Sequence, residues 1–441
     1  MRASPVRWVA SVRDILIVGI VLIGSLYALW QPAFGVMLWT WISIMSPHSL
    51  AFGFSQTFPV AAIAACAVLL GLLMTKERRN PFIGPAPKWL AVFMIWVCVT
   101  YPLSINVEGS WEMLSKVLKI DLMILVALML LHSRKHIETL IWVIVVSLGF
   151  YGVKGGIFTI MHGGSYMVLG PGGFIGGNNE LALALIVTIP LMRYLQLQAK
   201  RWWVRHGLTA AMLLTAASAL GTYSRGALLA IVGMAAYLWL KSKNKVLSGV
   251  LMVLLGVALV SFMPGGWQDR MNTIQTYEQD SSAQGRFIAW ETAWRIAKDR
   301  LTGAGFDMYT EEIFGRYAPV PDRIHAAHSI YFQVLGEQGF IGLFIFLAIW
   351  YSVWVTAGRM IRDGRKNAET LWCSDLGAMC QVSLVGYGIG GAFLSLAYYD
   401  LSYNILAIVV LGSRWLRAHS QKHRALEQPR AAVDVRTAPL Q

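Results

Sequence analysis

Apolar stretches long enough to cross a bilayer recur along nearly the whole chain, and no other feature limits its fold so strongly. A backbone in hydrocarbon has no water to bond to, so segments of this length satisfy their N–H and C=O groups as helices. Charged residues make up 14% of the 441 positions, against roughly 25% in a soluble domain, which excludes a water-soluble enzyme. Candidate spans run over 58–74, 88–105, 114–131, 137–160, 179–195, 204–220, 226–240, 246–263, 330–356, 371–396 and 401–416. The expected class is an all-α polytopic membrane protein.

The formal charge of +14 is spread as short clusters between the apolar segments. It does not form a stripe interleaved with aromatics, so nucleic acid is not an expected partner. Lys76/Arg78/Arg79, Arg134/Lys135, Lys200/Arg201/Arg205, Lys241/Lys243/Lys245, Arg359/Arg362/Arg365/Lys366 and the tail from Arg414 alternate with loops that lack such clusters. Under the positive-inside rule these are the cytoplasmic connections. Arg2, Arg7 and Arg13 place the N-terminus on the same side, which requires an odd number of crossings before residue 57. Residues 15–50 read as two segments of about 16 residues, short of the ~20 that span a bilayer, broken at Gln31-Pro32. The parity predicts one crossing built from two half-length helices, twelve crossings in all, and both termini inside. No small-residue processing site follows the first apolar run, so a cleaved signal peptide is not expected. Cys66, Cys98, Cys373 and Cys380 all lie in apolar segments and suggest neither a disulfide framework nor a zinc site.

The expected organisation is a transmembrane region over 1–263, an outer loop over 264–327, further transmembrane helices over 328–417 and a cytoplasmic tail over 418–441. Within the loop, residues 285–300 place Phe287, Trp290, Trp294 and Ala297 on one helical face. That pattern predicts an amphipathic helix along the membrane surface with Trp290 and Trp294 at headgroup depth. A second short helix is expected from Asp307 to Tyr317.

Residues that can carry a reaction gather around this loop. His328 to Gly342 reads H-S-x9-G-x-x-G at the point of return to the membrane, with Gly336, Gly339 and Gly342 on one face, where another helix can come close. His328 can accept a proton near neutral pH, or can simply cap or hydrogen-bond at the interface. His325 lies three residues earlier, on the same side if the helix starts early, but two imidazoles with no nearby aspartate pair fall short of a metal ligand set. Arg225, behind the expected helix cap Ser224, stands at a helix start where unpaired N–H groups favour phosphate oxygens; the alternative is an arginine that snorkels to lipid headgroups. Arg286 directly follows Gly285 and is expected to repeat that geometry, or to be a solvated charge. Two such sites can grip a diphosphate. Asp400 is an outer-face carboxylate able to orient a histidine or accept from a sugar hydroxyl, or else merely solvated. Lys116 and Lys119 either meet anionic lipid or pair locally with Glu112. Glu278 and Asp280 resemble the acidic pair of a metal-dependent sugar transferase but sit in a polar loop. The glycine-rich run 163–179 lacks the Lys-Ser/Thr end of a P-loop, and Walker, Rossmann and Gly-x-Ser-x-Gly patterns are absent.

These features together, from about residue 60 to 416, resemble the O-antigen ligase family, whose relatives also polymerise O-antigen or glycosylate proteins. The resemblance implies about twelve transmembrane helices, one large periplasmic loop and a C-type glycosyltransferase architecture in the bacterial inner membrane, metal-independent and without a cofactor. It implies transfer of a glycan from undecaprenyl diphosphate to the lipid A-core oligosaccharide at the periplasmic face, amid membrane lipids. His328 matches the motif histidine, Arg225 the SRGA arginine, Arg286 the loop arginine, and Asp400 a late periplasmic acid. The expected alternatives are an O-antigen polymerase or a protein O-glycosylating ligase using the same donor, or a secondary transporter.

Overall fold

A computed structural model describes residues 12–51, 53–242, 244–272 and 281–427. All their regular structure is helical. In chain order the helices are α1 (Val12–Trp30), α2 (Pro32–Met45), α3 (Val60–Met74), α4 (Pro85–Thr100), α5 (Val107–Leu130), α6 (Arg134–Met161), α7 (Asn178–Gln198) and α8 (Trp202–Gly221). There follow α9 (Arg225–Lys241), α10 (Lys245–Ser261), α11 (Gly265–Asn272), α12 (Ser281–Asp299), α13 (Glu311–Tyr317), α14 (Ile330–Gly364), α15 (Leu371–Gly391) and α16 (Asp400–Glu427). Each of the eleven apolar segments expected after residue 57 coincides with a helix. Asn106, Ser133 and Asn244 start α5, α6 and α10 as side-chain caps, accepting from the N–H groups of Gly109, His136 and Leu247.

By length and composition α1, α4 with its following turn, α6, α7 and α14 can each cross a membrane, and the pair α10 and α11, bent by 115°, makes a sixth candidate. The other apolar helices pack against these. At one end of the bundle the basic clusters collect: Arg79 N–H donates to Met129 O at 3.1 Å, Arg134 bonds Glu138 at 2.7 Å, and the Arg414 guanidinium gathers the carbonyls of Pro81, Ile83 and Leu128. At the opposite end Tyr223 Oη donates to Gly164 O at 2.7 Å, and Ile105 N–H to Ala304 O at 2.8 Å.

The reading of residues 15–50 is corrected. α1 has 19 residues and is long enough alone, and α2 folds back along it as a hairpin. A Cβ on Gly24 would meet Leu38, and one on Gly35 would meet Ala28, the pairing of an antiparallel turn at Gln31-Pro32. Ser55 N–H then reaches back to Asp14 Oδ1 at 3.0 Å. Two antiparallel helices return the chain to the side where it started, so residue 12 lies at the loop end of the bundle and the end of α16 lies at the basic end. This differs from the expectation of both termini on one side; Arg2, Arg7 and the tail after residue 427 lie outside the described residues.

The outer loop holds both expected helices. α12 runs from Ser281 to Asp299, but its buried face is the small-residue row Ala289, Ala293, Ile296 and Ala297, which packs on α14. The aromatics are docked rather than laid free on a surface: Trp290 stacks on Phe332 with centroids 4.8 Å apart, and Trp294 meets Phe340 edge-on at 5.3 Å. Phe287 and Trp294 keep outward faces, at 43% and 44% exposure.

The glycines of the H-S-x9-G-x-x-G segment serve a different purpose from the one expected. α14 breaks at Gly339 (φ 68°, ψ −174°), a left-handed φ that favours glycine. A break frees carbonyls that hydrocarbon cannot satisfy. Ala304 N–H takes Gly336 O at 2.8 Å, Gly305 N–H takes Glu337 O at 3.0 Å, and Trp96 Nε1 takes Gln338 O at 3.0 Å. Gly336 faces Met308 and Ala293, Gly339 faces the Leu301 carbonyl, and Gly342 faces Trp96. The three admit α12, the loop after it and α4, not one helix.

Candidate active site

Three of the expected residues meet in one place. Arg286, His325 and His328 line an open cleft of about 580 Å³ at the loop end, together with Gly285, Asp322 and Arg323. Arg286 comes from α12 and both histidines from the extended strap that precedes α14. The His325 ring lies flat against Gly285, where an added Cβ would fall 2.8 Å from its Cγ. Glycine at 285 therefore lets the imidazole sit beside the arginine.

His328 is not in a helix. α14 begins two residues later, and His328 adopts φ 43°, a left-handed conformation that costs a non-glycine residue on the order of 1–3 kcal/mol. The neighbouring residue shows what holds it there. Ala327 is buried; its carbonyl accepts from Trp290 Nε1 at 2.7 Å, and its N–H donates to Tyr309 Oη at 3.2 Å. Burial raises the pKa of Tyr309 far above its ordinary value, so the phenol stays protonated. Trp290 is fixed in turn by its stack on Phe332. The imidazole that emerges is half-buried, and its Nδ1 is shielded from solvent with no hydrogen-bond partner among the described residues. Burial lowers the His328 pKa from 6.5, and the charges of Arg286 and His325 lower it further. A neutral imidazole beside a guanidinium can take a proton while the cation holds an anion.

Trp290, expected at headgroup depth on the membrane surface, thus acts as a brace for His328. Arg286 also differs from expectation in one respect: α12 starts at Ser281, so the arginine lies in its second turn and not at a helix N-terminus.

Arg225 stands where the sequence places it, first in α9, with Ser224 Oγ accepting from Ala227 N–H at 3.3 Å. It is not among the residues lining the cleft. It shares the loop end with it through α15: a Cβ on Gly226 would lie 3.1 Å from that of Phe393, while Gly391 packs on Ile330. The end of α15 thus separates Arg225 from the start of α14.

Asp400 is 1% exposed and its Oδ2 accepts from Ser43 Oγ of α2, so it ties α16 to α2 and is not a solvated loop acid. Lys116 pairs locally with Glu112 at 2.7 Å. Glu278 and Asp280 lie outside the described residues. Sequence reasoning missed Glu337, inside the quoted motif: it is 2% exposed, with Oε2 accepting from Tyr398 at 2.6 Å and Oε1 from Gln333 at 3.3 Å. A carboxyl amid apolar helix residues was the available signal.

A helical membrane protein with an arginine and a neutral histidine in a cleft at one end of the bundle fits a transferase that acts on an activated, anionic donor. Residues 210–347, which hold Arg225, Arg286, His325 and His328, match the family model described as O-antigen ligase. The match supports the O-antigen ligase family and glycosyl transfer of the ligase and polymerase type. Residues 12–200 match a second model, a family of unknown function (DUF5935). No curated protein matches the chain.

Proposed function

We propose that the protein transfers O-antigen polysaccharide from undecaprenyl diphosphate to the lipid A-core oligosaccharide, at the periplasmic face of the bacterial inner membrane. The observation that carries this reading is the convergence of Arg286 and His328 in one open cleft within the matched segment. On this reading the basic end of the bundle faces the cytoplasm. The alternating helices α3 to α10 and α14 to α16 supply eleven crossings, and the α1–α2 hairpin replaces the single broken one.

The reaction is a single displacement. The acceptor hydroxyl oxygen bonds to the anomeric carbon, the bond from that carbon to the diphosphate oxygen breaks, and configuration inverts. Arg286 neutralises charge growing on the departing diphosphate, and His328 takes the hydroxyl proton. Arg225, across the end of α15, meets the diphosphate once donor has bound. Phe287 and the outward face of Trp294 border the path of the prenyl chain.

The decisive experiment supplies purified enzyme with lipid-linked donor and lipid A-core. Attached polymer is the expected product; a chain that only lengthens lipid-linked glycan would be a polymerase. Turnover is expected to persist in EDTA, and loss restored by a divalent cation would refute metal independence. Trp290→Phe keeps the stack and removes the bond to Ala327. We expect kcat to fall about tenfold through lost positioning, with thermal stability lower by about 1 kcal/mol. An equal drop in protein recovered and in activity would mean that the tryptophan serves only folding.

A further inference from the structure

At the basic end two cavities share Arg359, the first of them beside α16. The first, about 440 Å³, is lined by Arg359, Asp363, Lys366, Arg417, Ser420 and Gln421, among others. Its one carboxylate is already engaged, bound by Lys366 at 2.8 Å and by Arg362 at 3.4 Å. Arg359 and Arg417, both exposed, are the cations that carboxylate does not bind. The second cavity, about 590 Å³, is an apolar groove between α4 and α14 with Trp89, Phe344, Leu347, Ala348 and Tyr351 in its walls. Trp89 and Phe344 close one side edge-to-face at 5.9 Å. Arg359 lines both cavities.

We propose that this junction binds an anionic phospholipid, with the phosphate between Arg359 and Arg417 and one acyl chain in the groove. Basic pockets between membrane helices suit phospholipid headgroups, and arginine presents a planar fork to phosphate oxygens. A free phosphate would use the basic cleft alone. The groove that continues from it, entered past the same arginine, selects a phosphate that carries a hydrocarbon chain. Arg417 also lines a neighbouring cleft of about 550 Å³ with Arg79 and Lys422, which extends the positive surface and favours a net negative headgroup over a zwitterionic one. The proposal rests on the chain crossing a bilayer, and not on the transfer reaction.

The test reads binding to the full-length protein in neutral detergent. Phosphatidylglycerol is expected to raise the melting temperature and to remain bound in native mass spectrometry, whereas phosphatidylcholine does neither. Arg359→Gln with Arg417→Gln should weaken retention by ~30-fold. Ala348→Trp fills the groove and leaves both arginines; it should release phosphatidylglycerol while leaving any response to inorganic phosphate unchanged. Equal retention of phosphatidylcholine, undiminished retention by the double variant, or the full effect from inorganic phosphate would each overturn the proposal. Because transfer is not measured, failure here is separate from failure of the catalytic reading.

Discussion

Arg286→Ala is expected to slow glycosyl transfer by about 30- to 1000-fold, the 2–4 kcal/mol that one preorganised charge contributes to an anionic transition state. Most of the loss should fall on kcat, because the diphosphate gains its full charge only as the sugar leaves. Arg286→Lys should recover little, since a point charge does not replace a bidentate fork. The arginine has a second effect, read through pH. Its charge helps to lower the His328 pKa below 6.5, after burial. A lowered pKa keeps the imidazole neutral at pH 7, so activity should fall only as acid protonates it, with a midpoint below 6.5. Arg286→Gln removes that repulsion, and the acid limb should move upward toward 6.5. His328→Ala should abolish the limb and reduce the rate by ~100-fold or more. A pH profile of kcat/KM checks both. An unchanged limb in His328→Ala would remove the histidine from the proton transfer.

The parts of this site legible in the sequence were those fixed by local pattern. An arginine after a serine cap predicted the start of α9, and helical spacing in 285–300 predicted α12. Long-range choices were hidden. Phe287, Trp290 and Trp294 share a face with Ala297, and periodicity alone cannot say whether lipid or protein covers it; the alanines and Ile296 beside them decided the matter by fitting closely against α14. Parity arithmetic failed at Gln31-Pro32 because an apolar segment broken by proline can continue through the bilayer or turn back. Small contacts such as Gly35 on Ala28 settle which, and they involve residues with no charge or motif to mark them. Asp400 looked like a solvated loop acid because its partner, Ser43, lies 357 positions away. His328 was visible as a motif residue, but its left-handed backbone is set by Trp290 and Tyr309, each bonded to a different atom of Ala327. Nothing local to the motif encodes that.

Gly339→Ala is expected to be the most disruptive single change outside the cleft. The break in α14 requires φ 68° at this position, and an added Cβ would stand 2.1 Å from the Leu301 carbonyl oxygen and 2.7 Å from its carbon. Those are backbone atoms of the turn that leads out of α12, so neither can move as a side chain would. The clash relaxes only if the 301–305 segment withdraws from α14. Withdrawal would strand the Gly336 and Glu337 carbonyls, which Ala304 and Gly305 now satisfy, at a cost of about 1–3 kcal/mol for each buried group left unpaired. With the conformational penalty of about 1–3 kcal/mol at residue 339 added, the total is on the order of 3–9 kcal/mol, a range that reaches the whole stability of an ordinary domain. Because α12 is carried by that turn, Arg286 would leave His328 as the segment lifts. The expected result is loss of transfer together with new protease sensitivity in 299–310, while the helices before residue 263 stay protected in hydrogen exchange. Wild-type protease resistance and turnover in Gly339→Ala would show that α14 tolerates a continuous helix, and that the cleft does not depend on its break.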